Sequence, residues 1–398
     1  MSTAPPPRIS PQQLNAMQRA AVLGQAVEMT QQIYSQAIDP TTTPQINIVP
    51  RNVGLIKRFI VIVEGTIAKA NAGDGTLTAF GLQNIFSALT FTDLNNNLRV
   101  NTPGWHLANL NTARFRRPFA SALQQSAYSA GSPALLSETA EYGNNFPVIV
   151  SPVTIPSAGS KAFRMVWEIP LAYSDDDLRG AVYANVVNAV MQVGLTLNNS
   201  PFVATGTDDT FAVAKCTTKT DLSYSGNLQV TIYQVYLDQL PVGKQGVVLP
   251  LLDLSTVYEI KNTLFTGVVQ SQDFPVPYAN FRDFLSTFAV YNSTGLDSNP
   301  GDGSDVNTWA LQSANFTNLW KVDPLTAAML SRMIVGTDFP KAMYYFSHRR
   351  KPISTTQYGN MELVLNASSA SAGLAYIAIG WEDFALVNTL TQAGSLAG

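Results

Sequence analysis

The sequence predicts an all-β fold, built as two barrel- or sandwich-like domains in series. Three observations carry that expectation. From Leu228 to Tyr236 residues alternate, with Leu228, Val230, Ile232 and Gln234 on one side and Gln229, Thr231, Tyr233 and Val235 on the other. That is the period of a strand with one face more buried than the other. Short β-branched and aromatic runs recur through both halves between turn residues, the pattern of sandwiches and barrels. A little past the midpoint lies a connector that is apolar where connectors are usually polar: Leu240-Pro241-Val242-Gly243, then Leu249-Pro250-Leu251-Leu252. Proline fixes φ and removes a donor, so this stretch is extended and leaves the ladder. Its apolar side chains would be costly in water, so it is expected to be a buried strap locking two domains.

The elements follow in order. Ser10-Pro11-Gln12-Gln13 is a helix start, with Ser10 as cap, Pro11 at the first helical position and Gln13 closing a capping box. The helix is expected to run to about Tyr34, since no proline interrupts before Pro40. Leu14, Met17, Val22, Leu23, Val27, Met29, Ile33 and Tyr34 spread round its wheel, and Arg19 and Glu28 are its charges. Such a helix needs contacts on several sides, from protein or a membrane surface. It is expected to be an assembly element whose removal, with residues 1–36, leaves both domains folded. Residues 41–50 read as an extended linker. In the first half strands are expected at 55–67, 88–93, 148–155, 162–169, 190–197 and 228–236, with turns at Gly73-Asp74-Gly75, Pro156–Gly159 and Ser225-Gly226-Asn227. The second half suggests strands at 284–291, 342–346, 361–365 and 374–381, and a helix at 324–335. No residue-level repeat relates the halves.

Composition narrows the function. At 398 residues the chain can bury two cores. Charged residues make up 13%, against a usual share of about 25%. A surface so poor in charge expects to be covered by other protein. Apolar residues at 46% and aromatics at 10% exclude disorder. The net charge of −3 gives no general basic field for nucleic acid. Cys216 is the single cysteine, so no disulfide forms within the chain; it reads as an inert thiol in a reducing compartment. The first residues lack a signal peptide's basic and apolar regions, and no run reaches the ~18 apolar residues of a spanning helix.

Catalytic and metal patterns are weak. His106 and His348 lie in different halves, so neither half offers the clustered histidines of a cupin metal site. His106 reads as a packed or interface residue, and His348 as part of a solvated basic turn. Asp175-Asp176-Asp177 after Ser174 reads as a capped helix N-terminus. The loop Asp297–Asp305 has Asp302 where a calcium loop needs glycine and Thr308 where it needs glutamate, so it reads as an exposed tip, with a weak ion site the other reading. Neither a cofactor nor a catalytic or metal residue is expected. Two basic clusters, Arg114, Arg116 and Arg117, and Arg349 and Arg350, read as subunit contacts. The first sixty residues are net basic through Arg8, Arg19, Arg51, Lys57 and Arg58, which suits anionic lipid headgroups. Arg8, Leu14, Met17, Arg19, Val22 and Met29 are the candidates for that membrane-facing or assembly role.

Several stretches, in order along the chain, resemble the major capsid proteins of tectiviruses, tailless phages whose icosahedral shell encloses a membrane. Tyr236–Gly243 (YLDQLPVG) and Leu249–Thr256 (LPLLDLST) resemble the segment between that family's two domains. Val53–Lys57 (VGLIK) resembles its first long strand. Gly104–Leu107 with Asn111–Arg114, and Pro170–Ser174 with residues 177–186, resemble two helical insertions. Thr337–Lys341 (TDFPK) with Gln357–Asn360 (QYGN) covers the second domain. The resemblance implies a double jelly roll, two eight-stranded jelly rolls in one chain with short helical insertions and an N-terminal helix. The expected divisions are helix and arm at 1–45, first roll at 46–239, buried linker at 240–252, second roll at 253–385 and tail at 386–398. It further implies a structural protein that is not an enzyme, forming homotrimers of pseudo-hexagonal outline in the capsid shell of a virion. It implies neighbouring trimers, vertex (penton) and minor capsid proteins and, at the N-terminal side, internal membrane lipids as partners. No direct nucleic-acid contact is implied, because the membrane lies between shell and genome. Synthesis and assembly would be in the host cytoplasm. The alternative is a jelly-roll surface or receptor-binding phage protein of lectin-like type.

Overall fold

The computed structural model describes residues 10–115 (save Asp74 and Ala79), 122–124, 154–155, 157–185, 190–241 (save Asp208 and Thr210), 256–267, 271–275, 282–292, 306–336, 343–367 and 375–385. Sixteen of its strands build two rolls of eight. The first roll takes β1 (Val27–Ile38), β2 (Gln45–Ile48), β3 (Leu55–Lys69), β4 (Phe86–Thr92), β5 (Leu98–Thr102), β6 (Gly159–Pro170), β7 (Gln192–Leu197) and β8 (Leu228–Asp238). The second takes β9 (Val257–Gly267), β10 (Ser271–Pro275), β11 (Arg282–Asn292), β12 (Val306–Ser313), β13 (Phe316–Val322), β14 (Met343–Ser347), β15 (Met361–Ala367) and β16 (Ala375–Ala385). In each roll the first strand pairs antiparallel with the eighth, the second with the seventh, the third with the sixth and the fourth with the fifth. That nesting is the jelly roll. A helix follows the fifth strand of each: α2 (Gly104–Phe115) after β5 and α3 (Pro324–Val335) after β13.

The long strands form for the reason their alternation suggested. Along β8 the buried side is Leu228, Val230, Ile232 and Gln234, until a bulge between Val235 and Tyr236 shifts the register. Gln234 is buried because its amide exchanges two hydrogen bonds with the Arg51 backbone, at 3.0 and 2.9 Å. The helix expected at 324–335 is α3, capped by Asp323, which accepts from the Thr326 N–H at 2.9 Å, and ended by Gly336 at φ +84°. Cys216 is a buried, free thiol.

The N-terminus departs from expectation. The Ser10 capping box forms, but α1 (Pro11–Gln25) stops at Gln25, and Val27–Ile38 is strand β1. It pairs with β8 along its length, from Val27 opposite Asp238 to Ile38 opposite Leu228. The absence of an apolar stripe in this stretch was the sign that it is not a helix. A distant partner strand outweighed the local helix preference of its Glu, Met and Gln residues. Residues 45–48 of the expected linker are β2, paired with β7. Deleting residues 1–36 therefore removes most of a jelly-roll strand. The truncated chain is expected to be insoluble or to lack the β-sheet circular dichroism of the full chain, where intact barrels had been expected.

The second helical insertion is also corrected: among the described residues of 170–186 there is no helix. Ser174 and Asp177 close a turn, with the Asp177 N–H donating to Ser174 Oγ at 3.0 Å. Its acids meet cations, Asp175 at 2.7 Å from Lys57 Nζ and 2.6 Å from Arg58 Nη1, and Asp177 at 2.6 Å from Arg179. No helix among the described residues is long and apolar enough to cross a membrane.

Candidate assembly site: the junction between the two rolls

The rolls are joined first by backbone. β5 and β9 pair in parallel, Val100 beside Ile260 and Asn101 beside Lys261. One sheet therefore runs β2-β7-β4-β5-β9-β16-β11-β14 through both rolls. They are joined next by a shared core. On β11, Phe284 and Ala289 belong to the second roll's apolar cluster, whereas Leu285, Phe288 and Val290 belong to the first roll's. Strand residues 378–384 are buried on both faces. Against this sheet lies α2. Its His106 is fully buried, with Nδ1 2.5 Å from Thr102 Oγ1 and its ring edge-on to Phe288. The ring rests on the backbone of Gly380, where a methyl would overlap it. Burial lowers the His106 pKa to about 3, so the ring is neutral.

A chain of polar groups also crosses the junction. Glu382 is wholly buried on β16. Its carboxylate accepts from Tyr258 on β9, from Ser286 on β11 at 2.6 Å and from Arg349 Nη1 at 2.6 Å. The Arg349 guanidinium lies 4.5 Å from the ring centre of Tyr173, a first-roll residue whose hydroxyl donates to the Arg349 carbonyl at 3.2 Å. Burial acts to lower the Arg349 pKa, but Glu382 together with Tyr258, Tyr345 and Tyr173 outweighs it, and the net direction is upward. Behind Tyr173, Arg114 of α2 donates to Glu168 at 3.0 Å and to the carbonyls of Ala172 and Tyr173 at 3.2 and 2.9 Å. Beside it, Arg179 stacks on Phe384 at 4.4 Å. A second cluster joins Arg282 to Glu259 at 2.6 Å and to Asp383 at 2.8 Å. Burial pushes the Asp383 carboxyl up to about 7, against the pull of Arg282.

These contacts revise the expected site residues. Arg114 and Arg349, expected at subunit contacts, are held within the chain, where they neutralise the buried Glu168 and Glu382. Arg350 is exposed, and Arg116 and Arg117 lie outside the described residues. His348 is not in a solvated turn: it stacks on Trp320, accepts from its Nε1–H at 3.2 Å, and burial lowers its pKa to about 4. Among the N-terminal candidates, Leu14, Met17 and Met29 are exposed, the last on β1 and not on a helix. Val22 is buried in a small cluster with Leu55, Leu178 and Leu237, so α1 is anchored on the first roll. Arg19 is half-buried, and Arg8 lies outside the described residues. Of the strap, Leu240 packs on that cluster and Pro241 is half-buried, while Val242, Leu249, Pro250, Leu251 and Leu252 lie outside the described residues, as does the Asp297–Asp305 loop. Among the described residues no cluster of histidine, cysteine and carboxylates could hold a metal ion. The reading from sequence missed Tyr173, Tyr258 and Glu382. Its one available signal was the pair Glu382-Asp383 inside the apolar run from Ile377 to Phe384.

A related sequence and similar folds occur in known capsid proteins. The chain is 36% identical over 386 residues, 96% of its length and 94% of the relative's, to major capsid protein P3 of Enterobacteria phage PRD1. Its fold matches the STIV MCP at a TM-score of 0.61 and 13% identity, covering 92% of this chain and 98% of that one. It also matches the PBCV-1 virus capsid at a TM-score of 0.52 and 9% identity, covering 90% and 94%. Residues 9–240 match the family model of the P3 major capsid protein N-terminal part, and residues 255–398 that of the C-terminal part. The chain thus belongs to the P3 major capsid protein family, whose members are structural proteins of the virion shell and not enzymes.

Proposed function

We propose that this capsid protein, which self-associates in the shell, does so as a trimer whose six jelly rolls make a near-hexagonal tile. The fusion of two like rolls into one rigid unit supports this reading. Three copies of such a unit around an axis place six similar bodies in a ring, and such tiles pave a flat facet. The shell would be icosahedral and enclose a membrane, with α1 at the membrane-facing side and Leu14, Met17 and Met29 offered outward. Vertex and minor capsid proteins would be further partners, and synthesis and assembly would take place in the host cytoplasm. The first roll would span 27–239, because β1 belongs to it and the expected start at 46 falls after that strand, and the second 253–385, with the strap at 240–252 between them.

Light scattering of the purified full chain tests the trimer. A mass three times 43.0 kDa is expected, with pseudo-hexagonal outlines in negative-stain images. A stable monomer at micromolar concentration would refute it.

A further inference from the structure

The ladders of the second roll repeat the positions, though not the residues, of those in the first. Between β4 and β5, Leu89 faces Thr102, Thr90 faces Asn101 and Phe91 faces Val100. Between β12 and β13, Trp309 faces Val322, Ala310 faces Lys321 and Leu311 faces Trp320. Thr102 and Val322 each stand two residues before a 12-residue helix. Val27 opposite Asp238 opens the β1–β8 ladder as Val257 opposite Ala385 opens β9–β16. Trp320 and Lys321 therefore hold in β13 the places that Val100 and Asn101 hold in β5. Thr30 and Gln31 hold in β1 the places of Ile260 and Lys261 in β9.

Within the chain the edge of β5 meets the edge of β9. Their counterparts, β13 and β1, stand at the ends of their sheets. β1 is a 12-residue edge strand exposed along most of its length, with no proline and Glu28 as its one charge. Natural proteins blunt such edges unless a partner covers them. The helices show the same contrast. From Trp105 to Ala113, α2 is buried at the junction. α3 leaves Leu325, Met329 and Met333 exposed at 61, 57 and 75%, spaced four residues apart on one face. A helix whose solvent side is as apolar as its core side is a contact surface.

We propose that the β13 edge of one copy, with the apolar face of α3, docks on the β1 edge of a second copy as β5 docks on β9 within the chain. The strands run parallel, with Trp320 and Lys321 beside Thr30 and Gln31. The contact is head-to-tail, so it repeats from copy to copy until the ring closes. This rests on the trimer reading and names the surface that makes it.

The test uses full chains carrying Thr30→Cys, Lys321→Cys or both, refolded alone or mixed, with a short bismaleimide as probe. Cys216 is buried and stays silent. The double variant is expected to give covalent bands of two and three chains. The single variants are expected to link only when mixed. Trimers in light scattering that yield no link would overturn this contact and leave the trimer reading standing. Links from Thr30→Cys alone would show a β1–β1 contact and overturn it as well. A monomer would overturn both. Met329→Glu with Met333→Glu, on an exposed face, should keep the fold by circular dichroism yet weaken association on the order of tenfold or more. Unchanged trimers from that variant would remove α3 from the interface.

Discussion

Replacing Arg349 by Met is expected to destabilise the protein by about 3–5 kcal/mol, the usual effect of removing one partner from a buried ion pair. Glu382 has no exposure to water, and Arg349 is the cation against it. With the guanidinium gone, the carboxylate keeps only the Tyr258 and Ser286 hydroxyls. The methionine also forfeits the stacking on Tyr173, which binds the second roll to the first. Denaturation should therefore show the rolls loosening at lower urea than in the parent chain. The variant Arg349→Met with Glu382→Gln should recover much of the loss, because a neutral amide needs no counter-charge. If the single variant melted within about 0.5 kcal/mol of the parent, a range typical of plain surface changes, the junction would not depend on this pair.

The jelly-roll strands with a clean period were legible from the sequence. β3, β6, β8, β11 and α3 fall within a few residues of expectation, because one-sided burial stamps an alternation and a capped helix carries its own signals. β1 was not legible. Its pairing with β8 spans some two hundred positions, and its outer side shows the mixed polarity of a strand awaiting a partner. β9 was hidden for a related reason. It lies between β5 and β16, and Tyr258, Glu259 and Ile260 are all buried, so a charged residue sits inside where a one-sided strand would turn it to water. The connector drew attention by its leucines, yet the described union is made by β5 with β9, by α2 and by the Glu382 network. Those contacts come from residues far apart in the chain. A charged residue at such a place looks, in sequence, like one on any surface, which is why Arg114 and Arg349 were assigned to subunit contacts.

Mild acid should weaken the protein, and the two histidines set the direction. His106 and His348 have folded pKa values of about 3 and about 4, against 6.5 when unfolded. As pH falls from 6.5 toward 4, the unfolded chain binds protons that the folded chain refuses. Each histidine then removes about 1.4 kcal/mol of stability per pH unit. Asp383 acts the other way. Its folded pKa of about 7 exceeds the unfolded 3.8, so folding takes up a proton over the same range and gains about as much per unit. Two losses against one gain leave a net fall of about 1.4 kcal/mol per pH unit. His348→Gln, whose amide oxygen can still accept from Trp320, should flatten the dependence almost to zero. Asp383→Asn should steepen it to about 2.7 kcal/mol per unit, because only the histidines remain. Urea unfolding midpoints between pH 6.5 and 4.5 read both changes. A parent chain that grows more stable on acidification, or a His348→Gln variant with the parent's slope, would mean that these rings are not held neutral by burial.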